Sequence, residues 1–165
     1  MCAADVPLAC RVRPARIEEA AALSDLCFRS KAVWGYDDAF MALCREPLRV
    51  KPEEIAAGDV WVAASPNAGP NDSIAGIVAL ASGDDPATVD LDKLFIEPGC
   101  IRAGVGRLLL VHAIAEARRR GASRLTILAD PNAAAFYERN GARFIRMAPS
   151  DAIPGRSVPL YEIVW

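Results

Sequence analysis

Histidine is almost missing from this sequence. His112 is the only one among 165 residues, which excludes a metal site built from several imidazoles. Cysteine offers no substitute. Cys2, Cys10, Cys27, Cys44 and Cys100 make an odd count with no Cys-x-x-Cys pair, which argues against a zinc site or a disulfide framework and for a reducing compartment. No apolar run approaches the roughly 18 residues that a membrane span needs. The first ten residues lack a basic start and a long apolar stretch, so they do not read as a signal peptide. An excess of one charge is also absent: 19 Lys and Arg stand against 21 Asp and Glu, a net charge of -2. That balance gives no general attraction to nucleic acid or to anionic lipid. The absences together predict a soluble, cytoplasmic protein with no metal, nucleic-acid or membrane partner. Any anion site must then be built locally.

What is present is a 53% hydrophobic chain of a length that fits one core. We expect one domain over residues 1–165, with its core in 10–165. A first strand is expected at 10–13, stopped by Pro14. Residues 16–30 carry Ile17, Ala20, Leu23 and Cys27 near one face of a helix. A turn with two aromatics, Trp34 and Tyr36, leads to Asp37, placed to cap a second helix over 38–45. Strands are expected at 59–64 and 73–82 around a Pro/Gly/Asn turn at 66–72, and a third at 88–96, ended by Pro98. Residues 104–120 form a strong helix with Leu108, Leu109 and Ala113 inward and Gly121 as its stop. A strand at 124–129 precedes Asp130-Pro131, an N-cap followed by proline at the first helical position. Strands at 143–148 and 158–165 close the chain around a loop at 149–156. The order β-α-α-β-β-β-α-β-α-β-β puts one strand-helix-strand crossover between antiparallel hairpins, which predicts a mixed α/β sheet.

The stretch from Leu94 to Arg107 carries the most information. A strand ends at Pro98, and Gly104 and Gly106 open an amphipathic helix. Glycines let a backbone approach a ligand closely, and the first N–H groups of a helix are unpaired and favour an anion. Arg102 and Arg107 add positive charge. A diphosphate suits such a site. A Walker A loop fails here, because Val105-Gly106 replace the Lys-Ser/Thr pair after Gly104. A dinucleotide fingerprint is weak, because position 109 is leucine. The run Ile101-Arg-Ala-Gly-Val-Gly106 instead resembles the [QR]xxGx[GA] loop that holds the acetyl-CoA pyrophosphate in the GNAT superfamily. Isoleucine stands at 101 where many members have Gln or Arg, which weakens a side-chain contact but leaves the backbone cradle.

A second stretch, Asn132-Ala-Ala-Ala-Phe-Tyr-Glu-Arg-Asn-Gly141, resembles the AxxFYxxxG segment of the same superfamily. One helix and one strand separate the two, as in the family. Asp130 stands where members often carry Asn, and Gly141-Ala142 replaces the usual Gly-Phe. The resemblance implies a GNAT fold (a central mixed, mostly antiparallel sheet flanked by helices) and acetyl-CoA as co-substrate. It implies that Phe95, Ile96, Ile101, Arg102, Ala103, Gly104, Val105, Gly106, Arg107, Asn132, Phe136 and Tyr137 bind that co-substrate, and that Tyr137 protonates the leaving thiolate.

Acetylating an amine requires its neutral form, so a carboxylate or a water ordered by one must take a proton. Asp90 and Asp92 lie two apart, and strict alternation puts them on one face with Leu94 and Ile96. Related enzymes often carry the base on this strand; the alternative is plain solvent exposure near its start. Trp34, Tyr36 and Asp37 could wall an acceptor pocket or merely pack a turn, and loop 150–156 lies where it could cover that pocket. Arg118, Arg119 and Arg120 read as cations at a helix C-terminus. The leading expectation is an N-acetyltransferase for a small-molecule primary amine, working by direct attack in a ternary complex. The rival is a non-catalytic acyl-CoA-binding module on the same fold. Acceptor identity and oligomeric state, a homodimer included, stay open.

Overall fold

The computed structural model describes residues 10–66 and 72–165. Seven strands form one sheet in the order β1-β2-β3-β4-β5-β7-β6: β1 (Arg11–Pro14), β2 (Val60–Ser65), β3 (Ser73–Ser82), β4 (Thr88–Ile96), β5 (Arg124–Leu128), β6 (Arg143–Pro149) and β7 (Ser157–Val164). All neighbours pair antiparallel except β4 and β5. The mixed, mostly antiparallel α/β sheet expected from the sequence is therefore the one observed. The turn expected at 66–72 falls mostly on residues 67–71, outside the described residues, as do the first nine residues and Cys2.

Helices cover both faces. On one face lie α1 (Ala20–Ala32), α2 (Asp38–Cys44) and α3 (Pro52–Ala56). There Leu23, Leu26, Cys27, Cys44 and Ile55 bury against Val60, Val62, Ile77 and Ala79. On the other lie α4 (Val105–Arg119) and α5 (Ala134–Arg139), where Leu109, Leu110, Ala113 and Ala117 meet Val78, Leu80, Leu91 and Leu125. Leu108, expected inward with Leu109, only flanks this core, and Leu110 takes the buried place. Helix α3 was not foreseen. Pro52 at its first position and the Lys51 N–H bonded to the Glu54 carboxylate at 2.9 Å start a helix too short to show a period. Asp37 caps α2 as expected, accepting from the Phe40 N–H at 2.8 Å.

Two features of the sheet create the site. The first is a bulge: Ala79 pairs with Lys93 and Leu80 with Leu91, so Asp92 has no partner on β3. The extra residue inverts the alternation. Val89 and Leu91 face α4 before it, and Leu94 and Ile96 face α4 after it. The expectation that Asp90 shares a face with Leu94 and Ile96 is thereby corrected: Asp90 faces the α1 side, as Phe95 does. The second is a gap. β4 pairs with β5 only at Thr88, Val89 and Asp90. Beyond that point the middle of the sheet is open, and β4 presents an unpaired edge.

Candidate active site

On the α4 side, the loop after β4 brings a run of amides to a helix start. Gly104 adopts φ 84°, a conformation that costs a residue with a Cβ about 1–2 kcal/mol, and Arg102 is also left-handed at φ 66°. The first helical bond of α4 runs from the Leu108 N–H to the Gly104 carbonyl at 3.1 Å. The N–H groups of Gly104, Val105, Gly106 and Arg107 have no backbone partner among the described residues. Arg102, Ala103, Gly104, Arg107 and Ile101 are exposed, while Val105 is buried and anchors the turn. A Cβ on Gly106 would lie 3.2 Å from the Phe136 ring and 3.9 Å from Ile96. Glycine thus lets α4 approach α5 and β4 at this level. Unpaired amides at a helix start are suited to an anion.

Phe136 meets Tyr137 edge-on at 5.1 Å, and Tyr137 lies 6.5 Å from Tyr161. Tyr137 is 7% exposed. Its hydroxyl has no hydrogen-bond partner among the described residues. Burial, and secondarily the nearby Asp130 carboxylate, push its phenol well above the ordinary tyrosine value. It is protonated at neutral pH.

On the α1 side, a cleft of about 910 Å³ opens between β4, β5 and the loop at 150–156. Asp90, Asp92, Lys93, Phe95 and Thr126 line it. The two candidate bases differ in surroundings. Asp92 accepts from Lys93 at 2.6 Å, and that ammonium, only 5% exposed, also lies 3.8 Å from Glu54. Asp90 accepts a short bond from the Thr126 hydroxyl. Burial raises the Asp90 carboxyl above the usual range. The Thr126 bond opposes this, and the charges of Asp84, Asp151 and Asp92 add to it.

At the far end of the cleft, Asp130 binds Lys31. Tyr36 donates to the same carboxylate oxygen at 2.8 Å, Asn132 donates to the other at 3.0 Å, and Arg156 donates to the Tyr36 hydroxyl at 2.8 Å. Burial pushes the Asp130 carboxyl up, but bonds from Lys31, the Asn132 amide and Tyr36 outweigh it, and the group sits below its ordinary range. Tyr36 and Asn132 thus both bond to Asp130, and through it they border the cleft without lining it. Trp34 is exposed and Asp37 is spent on capping α2, so neither lines the cleft. Sequence reasoning did not single out Ser30, Lys31, Lys93, Thr126 or Arg156. The Ser30 hydroxyl accepts from the Ile96 N–H at 3.3 Å, occupying one amide of the open β4 edge. Arg118 lies over Trp165 and Arg120 over Trp61, while Arg119 pairs with Glu116. All three are used within the fold, as expected.

The family model described as an acetyltransferase (GNAT) domain matches residues 56–141, just over half of the chain. The chain belongs to the GNAT acetyltransferase family. Solved structures of similar fold cover nearly all of it. One is a GCN5-related N-acetyltransferase from Rhodopseudomonas palustris, with a TM-score of 0.73 and 21% identity over 94% of this chain and 96% of that one. Another is the PaiA N-acetyltransferase of Thermoplasma acidophilum in complex with coenzyme A, with a TM-score of 0.72 and 17% identity over 95% and 99%. A third is YncA of Salmonella typhimurium with its cofactor acetyl-CoA, with a TM-score of 0.62 and 22% identity over 94% and 93%. At such identities the likeness shows the GNAT fold. No curated protein sequence matches the chain. Among the described residues, no helix is long and apolar enough to cross a membrane.

Proposed function

We propose that this chain, acting as one domain, moves an acetyl group from acetyl-CoA to the primary amine of a small molecule in a ternary complex. The observation that carries the reading is the gap after the Asp90–Thr126 pair. In this reading it joins an amide cradle on one face of the sheet to a cleft on the other. A diphosphate on the cradle would send its pantetheine through the gap along the unpaired edge of β4, and the thioester would meet an amine waiting in the cleft. The complexes of PaiA with coenzyme A and of YncA with acetyl-CoA support the choice of co-substrate.

In this reading the acceptor nitrogen attacks the thioester carbonyl carbon. The new N–C bond forms, the C–S bond breaks, and the amine proton leaves through Asp90 or a water it orders. Asp90 is the better base, because Asp92 is held by Lys93. Backbone N–H groups of β4 near Phe95 and Ile96 would stabilise the oxyanion; the amide of Ile96 must leave Ser30 to take part. Tyr137 reaches the sulfur from the α5 side. Its raised pKa makes full proton transfer to a thiolate of pKa about 8.5 uphill. It therefore acts as a hydrogen-bond donor to the sulfur, and coenzyme A leaves as a thiolate that solvent protonates. Arg102 and Arg107 would add charge to the diphosphate site. The free cysteines Cys10, Cys27, Cys44 and Cys100 fit a cytoplasmic setting.

The test is thiol release from acetyl-CoA over a panel of small amines, with products identified by mass. Acetylated amine in stoichiometric yield is expected. Acetyl-CoA binding without product from any amine would instead support a non-catalytic acyl-CoA module.

A further inference from the structure

The far end of the cleft holds charge that does not balance. Lys31 and Arg156 share one carboxylate, Asp130: Lys31 is bonded to it, and Arg156 lies 3.8 Å from the same oxygen. The three side chains are 12%, 21% and 11% exposed, so water screens them poorly. Arg156 spends one N–H on Tyr36. Its Nε and Nη1 groups have no partner among the described residues. The guanidinium lies 4.9 Å from the Phe40 ring and 5.3 Å from that of Tyr36, and those rings stack at 4.1 Å. The loop that carries it is fixed. Its ends are joined by the Ser150 N–H bonded to the Arg156 carbonyl at 2.7 Å, and Ile153 is buried in the α1-side core. A preorganised planar fork faces the cleft with donors unused and a net positive charge behind it.

We propose that Arg156, with Lys31 behind it, receives a carboxylate on the acceptor, so that the substrate is an amine that also bears a carboxylate. The proposal rests on the acetyl-transfer reading above and narrows its substrate class. A carboxylate matches the guanidinium fork in two parallel bonds and would neutralise the surplus charge. The other end of the cleft suits the ammonium. Asp84 and Asp151 lie close enough to Asp90 for their charges to act on it, all three line the cleft, and no ion pair holds any of them among the described residues, whereas Lys93 and Arg124 in the same cleft are paired with Asp92 and Asp85. Asp90 is level with Thr126, and Asp130 lies four residues farther along the chain. That is about 13 Å of extended strand, shortened by the reach of the side chains. A zwitterionic acceptor would therefore lie along the cleft with its amine at the gap in the sheet.

The experiment compares ω-amino acids of two to six carbons with the matched n-alkylamines, at saturating acetyl-CoA, in the full chain. The wild type should favour the best amino acid over its alkylamine by about 10–100-fold in kcat/KM. Arg156→Met should bring that ratio near one, through KM rather than kcat, and Arg156→Lys should keep part of it. Calorimetry with acetyl-CoA checks that each variant is folded. A wild-type ratio of one or less overturns the proposal. So does a ratio that survives in a folded Arg156→Met, or an aminoalkyl phosphate preferred over every carboxylate. If no amine is turned over, the acetyl-transfer reading fails, and the subsite is judged by the Arg156 Nε–H resonance. Movement with the ω-amino acids but not with the alkylamines upholds it; no movement overturns it.

Discussion

Asp90 is a carboxylate that the fold makes less comfortable as an anion. Its pKa is raised, so the folded chain holds this proton more tightly than the unfolded chain does. Its contribution to stability therefore declines as pH rises through the unfolded and then the folded value. Asp90→Asn should melt higher than wild type at pH 7 while losing acetyl transfer, measured by thermal melts beside thiol release. As a base, Asp90 must be ionised, so kcat/KM in the wild type should fall as pH is lowered, and the fall should begin at a pH above the ordinary carboxylate range. The residual transfer of Asp90→Asn should lack that limb. Tyr137→Phe removes a donor without removing a ring that is packed between Phe136 and Tyr161. Near-wild-type stability with a loss of about 10²-fold in kcat is the expected outcome. An unchanged kcat would take the phenol out of the chemistry.

At the scale of elements, the bulge at Asp92 is the part the sequence hid. A run such as Thr-Val-Asp-Leu-Asp-Lys-Leu-Phe-Ile reads equally well as a regular strand. Only its pairing with β3 reveals that Asp92 is the extra residue. Strict alternation consequently gave Asp90 the wrong companions. The glycine-opened helix was legible because Gly104 and Gly106 each meet a backbone demand that few other residues meet, a positive φ and a close approach to Phe136. The Lys31–Tyr36–Asp130–Arg156 cluster was not legible as a unit. Its members lie up to 125 positions apart, from Lys31 to Arg156, and nothing local in Lys31 or Arg156 marks them. The bulge also makes a test. Deleting Asp92 leaves Leu91 and Lys93 on their present faces and restores regular pairing, so the variant should fold cooperatively. It should bind acetyl-CoA more weakly, because bulges set the local bend and twist of a strand. Circular dichroism and calorimetry would check both halves, and an unfolded variant would contradict this account of the register.

Over the whole molecule, the proposed function treats the sheet as a partition crossed at the β4–β5 gap. The α4–α5 face carries the unpaired amides with Arg102 and Arg107, the α1–α2 face carries the charged cleft, and the proposed ligand passes between them at that gap. The most direct test follows the backbone amides of a uniformly ¹⁵N-labelled chain during titration with coenzyme A. The largest shifts should fall on residues 104–107, with a second set along β4 beyond Asp90. Saturable binding that leaves those amides unmoved would contradict the assignment of the cradle and of the opening beside it.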